Sequence, residues 1–358
     1  MRLLIFTVFT IYLTSTPLAQ CPTAPLTLGS QAEINNFPVN YPGCTVIPDG
    51  IDIKIMGNNI VDLNPLQQIT TVLGAFEIRE CPNLTNLNGL NNITAIGNDP
   101  LDGFILRELT SLTDITALSN LDSITGEFTI RTCNQLTNLN GLGALVRNNG
   151  SVIIRDNAIL TTLTGINSLK FIGETLEIVE NATLTDISAL SNVDTIVGGE
   201  EGGVFIEAND LLTSLSGLGN EQTEIGGNLD LLLNGDLSLC SVPSICKYLG
   251  NPPADAVITI SGNTTGCNTQ PEIEAGCTGL SIEKLRHDIG LIITPNPFSD
   301  HLIIEHTDNE EITLTTVLGR CERITVSEGK NELSTEHLQP GVYFIRDTKG
   351  TTYKIVKQ

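Results

Sequence analysis

The feature that most constrains this chain is an internal repeat of 24 to 28 residues. Each repeat opens with a short segment of alternating character, which is typical of a strand with one buried face. The segments read FEIRE (76–80), FILRE (104–108), FTIRT (128–132), VIIRD (152–156), LEIVE (176–180), VFIEA (204–208) and LDLLL (229–233). One repeat cannot bury its apolar side alone, so the repeats must stack around a shared core. This predicts a solenoid whose strands pair in parallel about 4.8 Å apart.

A second recurring position lies three residues beyond the second apolar residue of each segment. It is occupied by Cys81, Leu109, Cys133, Asn157, Asn181, Asn209 and Asn234. The chain turns inward there and leaves buried backbone groups, which an asparagine side chain can bond and a small thiol can fill. Cys81 and Cys133 are two repeats apart, about 9.6 Å at the strand spacing. A disulfide spans at most about 7 Å, so both are predicted to be unpaired packing residues.

This spacing resembles the L-x-x-N/C-x-L pattern of leucine-rich repeats. Over about residues 45–235 the chain is similar to the receptor L domain of cell-surface receptors. The resemblance implies a mainly β fold, a right-handed parallel β-solenoid of leucine-rich-like coils. We place the solenoid at 51–235, an N-terminal cap at 20–50 and a cysteine-containing C-terminal cap at 236–278, because end coils otherwise expose the core.

The first 19 residues are predicted to be a secretory signal peptide. Arg2 precedes an apolar run over 3–13, and small residues lead to Ala19, after which we expect cleavage. Lipoprotein processing at Cys21 is the alternative, but it requires a small residue where Gln20 stands. The run is too short to span a bilayer, and no other segment has enough apolar length for a transmembrane helix.

Exported chains normally oxidise their cysteines, so the caps are expected to hold disulfides. Cys21 and Cys44 flank the N-terminal cap and are predicted to pair. The C-terminal cap has four candidates: Cys240, Cys246, Cys267 and Cys277. Four cysteines allow three connectivities. The favoured one joins 240 to 267 and 246 to 277, with the other two left open.

Beyond a linker at 279–289, residues 290–358 alternate with period two and predict a small antiparallel β-sandwich. PNPF (295–298), LQPGVYFI (338–345) and KIVK (354–357) resemble the C-terminal sorting domain of type IX secretion. The matching positions are Pro295, Asn296, Pro297, Gly341 and Tyr343. The resemblance implies a Bacteroidetes-type bacterium and recognition of the tail by the secretion machinery. It also implies a secreted or outer-membrane cell-surface location. Apart from the resemblance, the same residues are expected at turn and core positions of any small β domain.

Charge and histidine distribution remove several classes of function. The net charge of −23 argues against nucleic acid or an anionic membrane surface as a partner. All four histidines lie beyond residue 280, which excludes histidine triads and histidine metal sites from the repeat region. We therefore expect no cofactor and no metal.

The outward strand positions, where solenoids bind partners, place four of the ten arginines in one column. These are Arg79, Arg107, Arg131 and Arg155. Neighbouring guanidinium groups would repel by about 0.9 kcal/mol even in water. Nearby acids can offset that repulsion: Glu77, Glu80, Glu108, Asp156 and Glu177. The column is therefore either a self-neutralised face or a stripe that binds carboxylated or sulfated polymers, or an acidic protein, through bidentate contacts.

Catalysis by carboxylates alone is the alternative, as in β-helix enzymes that degrade polysaccharides. Asp102, Asp210 and Glu200–Glu201 are acidic loop residues, but none stands in a recognisable paired motif. We therefore assign no catalytic residue. The sequence favours a non-catalytic binding or adhesion protein whose ligand is an extracellular protein or polysaccharide.

Overall fold

The computed structural model describes residues 20–199, 201–278, 291–306, 309–316, 320–327, 329–348 and 352–358. The predicted signal peptide (1–19) and linker (279–289) lie outside these residues. The chain divides into two compact units, an N-terminal unit up to Ala275 and a C-terminal unit from Gly276. No helix among the described residues is long and apolar enough to cross a membrane.

The first strand of each repeat joins one ten-stranded sheet, here called the long-strand sheet, in which every pair is parallel. With strands numbered in chain order, its members are β1 (Leu26–Leu28), β3 (Ile53–Met56), β5 (Phe76–Arg79), β7 (Phe104–Arg107), β9 (Phe128–Arg131), β11 (Val152–Arg155), β13 (Leu176–Val179), β15 (Gly203–Glu207), β17 (Asn228–Leu232) and β18 (Ile258–Ser261). The parallel pairing predicted from the repeat is confirmed. Two strands extend the sheet into the predicted caps, β1 at one end and β18 at the other.

A second parallel sheet of eight strands, the short-strand sheet, alternates with the first along the chain. Its members are β2 (Val46–Ile47), β4 (Thr71–Val72), β6 (Ala95–Ile96), β8 (Ser123–Ile124), β10 (Arg147–Asn148), β12 (Phe171–Ile172), β14 (Thr195–Ile196) and β16 (Glu224–Ile225). Two residues are too few to leave an alternating pattern, so the sequence did not predict this sheet.

Inward side chains of the repeats form a continuous core. Phe76, Phe104 and Phe128 occupy the same position on adjacent strands, and their ring centroids lie 5.5 and 5.9 Å apart. The leucines that follow each strand are buried: Leu84, Leu112, Leu136, Leu160, Leu184 and Leu212. Each fully buried leucine contributes about 1.5–3 kcal/mol relative to exposure. Stacking therefore supplies the stability that a single repeat lacks.

Buried asparagines link successive repeats through a chain of hydrogen bonds, here called the asparagine ladder. Its members are Asn157, Asn181, Asn209, Asn234 and Asn263. The backbone N–H of Cys133 donates to Oδ1 of Asn157 at 3.0 Å, so the cysteine occupies an equivalent position. Cys81 and Cys133 are buried and unpaired, which confirms the packing prediction. Asn263 was not predicted, although ITISGN (258–263) carries the strand-to-asparagine spacing.

The ends of the N-terminal unit are closed by helices and disulfides. The helices are α1 (Gln31–Asn40), α2 (Pro243–Gly250) and α3 (Gln270–Thr278), and four short 3₁₀ turns lie at Asn64–Leu66, Thr116–Leu118, Ser188–Leu190 and Ser216–Leu218. Helix α1 begins where the Ser30 side chain accepts the backbone N–H of Glu33, and it buries Phe37. The predicted Cys21–Cys44 and Cys240–Cys267 bonds are present. Cys246 and Cys277 are also disulfide-bonded, so all six predicted cysteines are oxidised.

The C-terminal unit contains two antiparallel sheets, as the period-two pattern predicted. One is formed by β19 (Ile292–Thr294), β20 (His301–His306) and β23 (Gly329–Ser334), and the other by β21 (Glu310–Thr316), β22 (Cys321–Val326), β24 (Gly341–Arg346) and β25 (Thr352–Lys357). Side chains from both sheets, among them Ile304 and Ile345, share one buried cluster. Both units are therefore built mainly from β-strands.

Candidate ligand-binding face and export signal

The four predicted arginines lie side by side on the outer face of the long-strand sheet. Along each strand, buried residues alternate with residues that face away from the core. Arg79 is in register with Arg107, Arg107 with Arg131, and Arg131 with Arg155. The structure therefore brings these side chains together as one arginine column on β5, β7, β9 and β11.

A parallel column of outward side chains lies two residues earlier on each strand. It reads Lys54, Glu77, Ile105, Thr129, Ile153, Glu177, Phe205 and Asp230. Acidic residues stand on β5 and β13, whereas the three strands between them carry neutral side chains. The centre of the face therefore lacks carboxylates at this position.

The residue that follows each outward arginine has left-handed backbone geometry. These residues are Glu80, Glu108, Thr132 and Asp156, with φ between 51° and 56°, and Glu180, which follows Val179 on β13, has a φ of 58°. Non-glycine residues adopt this conformation rarely, and here it turns the chain inward toward the asparagine ladder. It also places an acidic side chain beside most of the arginines.

Arg79 and Arg107 are held by carboxylates. The Arg79 Nε atom lies 3.5 Å from both Glu77 and Glu80. Arg107 lies 3.7 Å from Glu77 and 3.5 Å from Glu108. Glu77 also lies 3.2 Å from Nζ of Lys54, so its carboxylate forms ion pairs with Lys54, Arg79 and Arg107.

Arg155 is paired in the same way at the other side of the face. Its guanidinium lies 3.2 Å from Glu177 and 3.1 Å from Glu180. Burial lowers the pKa of Arg155, but the two carboxylates outweigh this effect and hold the pKa above its ordinary value. The group is fixed and charged.

Arg131 differs from its three neighbours. Its side chain is exposed and makes no ion pair with any residue that the structure describes. Thr132 stands where the neighbouring repeats carry Glu108 and Asp156, and the Asp156 carboxylate accepts the Thr132 hydroxyl at 2.9 Å. Carboxylates of the same face therefore neutralise Arg79, Arg107 and Arg155, and the positive charge of Arg131 remains.

The predicted acidic loop residues have different surroundings. The Asp102 carboxylate accepts the backbone N–H groups of Asn98 and Asp99 at 3.2 and 2.9 Å, so it holds its own loop. Glu201 and Glu174 line an open cavity of about 390 Å³. Glu200 lies outside the described residues, and Asp210 is exposed. Within the described part of the chain, no cluster of His, Cys, Asp or Glu could hold a metal ion.

The sequence motifs of the tail meet in the C-terminal unit. The Asn296 amide accepts the backbone N–H of Val356 at 2.9 Å and donates to the Lys354 carbonyl at 3.0 Å. Lys357 donates to the backbone carbonyls of Ser299 and Thr335. The PNPF segment and the terminal KIVK strand are therefore bonded to each other, which their separation in sequence did not reveal.

The remaining predicted positions of the tail have structural roles. Tyr343 is buried, and its hydroxyl donates to the Gln339 carbonyl at 2.7 Å. Gly341 begins β24 with a φ of 157°, and the peptide bonds before Pro295 and Pro297 are cis. The C-terminal unit is thus a small antiparallel β domain whose last strand is bonded to its first motif.

This part of the chain has a recognisable family. Residues 293–358 match the model of the secretion system C-terminal sorting domain, which confirms the predicted type IX sorting domain. The match implies interaction with the secretion machinery and a secreted or outer-membrane surface location. No curated protein matches the chain by sequence.

Proposed function

We propose that this protein is a non-catalytic binding or adhesion protein of the bacterial surface, exported by type IX secretion. The outer face of the long-strand sheet presents its ligand-binding surface to a protein or polysaccharide. The observation that carries the proposal is the in-register array of outward side chains on ten parallel strands. Such arrays give repeat proteins their extended binding surfaces.

We propose further that the repeats coil as a right-handed β-solenoid of the leucine-rich type, similar to the receptor L domain. The alternation of strands between two parallel sheets supports this, since one turn of a coil would contribute one strand to each. The asparagine ladder supports it as well, because leucine-rich repeats carry asparagine or cysteine at that position.

The test is retention of the intact exported chain on arrays of extracellular proteins and polysaccharides. Arg131→Glu is expected to abolish retention without lowering the melting temperature, because Arg131 has no carboxylate partner among the described residues. Arg107→Glu is a poorer variant, since it would place a third carboxylate beside Glu77 and Glu108. Arg147→Glu makes the same charge change on the short-strand sheet and serves as the control. Equal retention by all variants would contradict the role of the face.

A carboxylate-dependent polysaccharide-degrading enzyme is the second candidate. The observation in its favour is the cavity that Glu174 and Glu201 line together. Incubation with a polysaccharide panel, followed by an assay for released oligosaccharides, separates the two functions. Retention without release supports the binder. Release that disappears in both Glu174→Gln and Glu201→Gln would establish the enzyme instead.

A further inference from the structure

We infer that Arg131 is the anchor for a single carboxylate on a protein partner, bound beside the aliphatic side chains at the centre of the long-strand sheet. This inference rests on the proposed function, because it names the ligand class of the same face. The predicted ligand-binding stripe of four arginines is thereby reduced to one binding group, the guanidinium of Arg131.

The four guanidinium groups of the column differ in their ion pairing. Arg107 and Arg155 lie on the strands adjacent to Arg131, and both are already paired with carboxylates. Asp156, which directly follows the adjacent strand β11, accepts the Thr132 hydroxyl, and Glu127 accepts the Thr129 hydroxyl. A guanidinium has five N–H donors in a planar fork that matches a carboxylate. Arg131 is therefore the member of the column that can accept an external carboxylate without breaking an internal ion pair.

The surface next to Arg131 is largely apolar. Thr129 lies on the same strand and is buried, and the half-buried side chains of Ile105 and Ile153 flank Thr129 on the neighbouring strands. Arg131 therefore lies beside a row of largely apolar side chains, and arginine next to apolar groups is typical of protein–protein interfaces.

The surface is poorly suited to a sugar ring. Aromatic rings are a common means of holding sugars through their apolar faces. Among the outward positions of the described long-strand sheet, Phe205 is the aromatic residue, and it lies on β15, three strands from Arg131 on β9. This favours an aliphatic protein surface over a polysaccharide.

The charge of the chain disfavours a polyanionic ligand. The chain carries a net charge of −23 and therefore repels polyanions at a distance. Charges act over about 8 Å at physiological ionic strength, and Arg131 is the guanidinium of the column without an ion-pair partner among the described residues, so a single carboxylate is attracted there. A polymer with an acid on every unit would also meet Glu77, Glu108 and Glu180 on the same face. An isolated carboxylate is the ligand that this charge pattern admits.

The experiment uses the intact chain and a randomised library of short peptides. Each peptide has one central Glu between aliphatic or neutral residues and is paired with a twin that has Gln at the centre. Polygalacturonate and dextran sulfate form the polyanion arm. The expected result is retention of Glu peptides over their Gln twins by about tenfold or more, the size of a charge-assisted bidentate contact. Arg131→Ala should abolish this preference, Arg131→Lys should retain part of it, and Arg147→Ala should leave it unchanged.

The inference is overturned if no peptide shows a preference for Glu, or if Arg131→Ala keeps that preference. It is also overturned if polygalacturonate or dextran sulfate, rather than the peptides, is bound through Arg131. In these cases retention on the broader protein and polysaccharide arrays would still support the proposed binding function. Loss of retention on every array would contradict the proposed function itself.

Discussion

Single asparagines connect the repeats at the residue scale. The Asn181 side chain accepts the backbone N–H of Asn157 at 3.2 Å and donates to the carbonyls of Ile154 and Val179 at 2.9 and 3.1 Å. All of these groups are buried and have no access to water. A side chain that satisfies three backbone groups at once explains the asparagines at this position in the later repeats, whereas the earlier repeats bury Cys81, Leu109 and Cys133 there.

We predict that Asn181→Ala lowers the free energy of unfolding by about 3 kcal/mol, because it leaves buried donors and acceptors without partners. Asn192→Ala is the control. Its amide donates to the Asn167 carbonyl at 2.7 Å on an exposed corner, where water can replace it. Urea unfolding of both variants measures the difference. Equal losses would show that the ladder contributes no more than a surface hydrogen bond.

The two buried thiols make stability depend on alkaline pH. Burial raises the pKa of Cys81 to about 11 and that of Cys133 to about 12, against an ordinary value of 9.0. The folded chain holds both as neutral thiols, while the unfolded chain ionises them first as pH rises. Their contribution to stability is therefore complete below pH 9 and is lost progressively toward pH 12.

We expect the melting temperature to fall above pH 9 and to fall less in Cys133→Ala than in the unchanged protein. Iodoacetamide at pH 8 should leave both thiols unmodified until the chain is unfolded, as judged by mass spectrometry of the peptides that contain them. Rapid alkylation of Cys133 in the native protein would contradict its burial.

At the element scale, close approach between repeats depends on glycine at one turn. Gly165 has a φ of +125°, and a Cβ added there would lie 1.9 Å from the Leu139 carbonyl oxygen of the preceding repeat. Gly143, near the equivalent turn, is exposed and would place its Cβ no closer than 3.9 Å to another residue. Glycine is therefore required at position 165, whereas position 143 can accept a larger residue.

We predict that Gly165→Ala destabilises the protein by about 3 kcal/mol or more, from backbone strain and overpacking together. Gly143→Ala should be neutral or slightly stabilising, since it only restricts the unfolded chain. Thermal unfolding of both variants provides the measurement. A small effect at Gly165 would mean that adjacent repeats can shift apart.

Some elements were predictable from residue patterns and others were not. The strands of the long-strand sheet alternate over four or five residues, and the asparagines recur at a fixed offset, so both could be recognised in sequence. Strand β18 and Asn263 follow α2, whose insertion interrupts the period even though the local pattern persists. The short-strand sheet depends on pairing between repeats, which two residues cannot encode locally.

At the scale of the whole molecule, the exposed ends of the stack are the regions that need closure. The Cys240–Cys267 disulfide closes a segment that contains α2 and β18, the last strand of the long-strand sheet. A disulfide over a loop of this length stabilises a protein by about 2–4 kcal/mol. The bond therefore protects the end at which the shared core would otherwise open.

We predict that the double variant Cys240→Ser and Cys267→Ser loses hydrogen-exchange protection in β18 and β17 before the central strands. The pair Cys21→Ser and Cys44→Ser is the matched control, which should affect β1 and leave β18 protected. Unchanged protection in β18 would show that α2 and α3 alone suffice to close this end.

Export is a property of the whole chain and is assigned to the sorting domain. Deletion of residues 293–358 is expected to retain the protein in the periplasm, because the match to the sorting domain lies within these residues. Fractionation of cells that express the two forms measures the outcome. Surface exposure of the truncated form would contradict the assignment.

The sequence by itself determined the repeat, the parallel strands, the cysteines of the caps and the sorting domain, because each depends on a local pattern or a fixed spacing. It also placed the four arginines in one column. Only the tertiary structure decided which of them are neutralised. That result depends on the neighbouring acids at each position: Glu77, Glu80, Glu108, Glu177 and Glu180 hold three arginines, while the threonines around Arg131 leave it open. Ion pairs across strands are set by distances between side chains far apart in the chain, and no local pattern contains those distances.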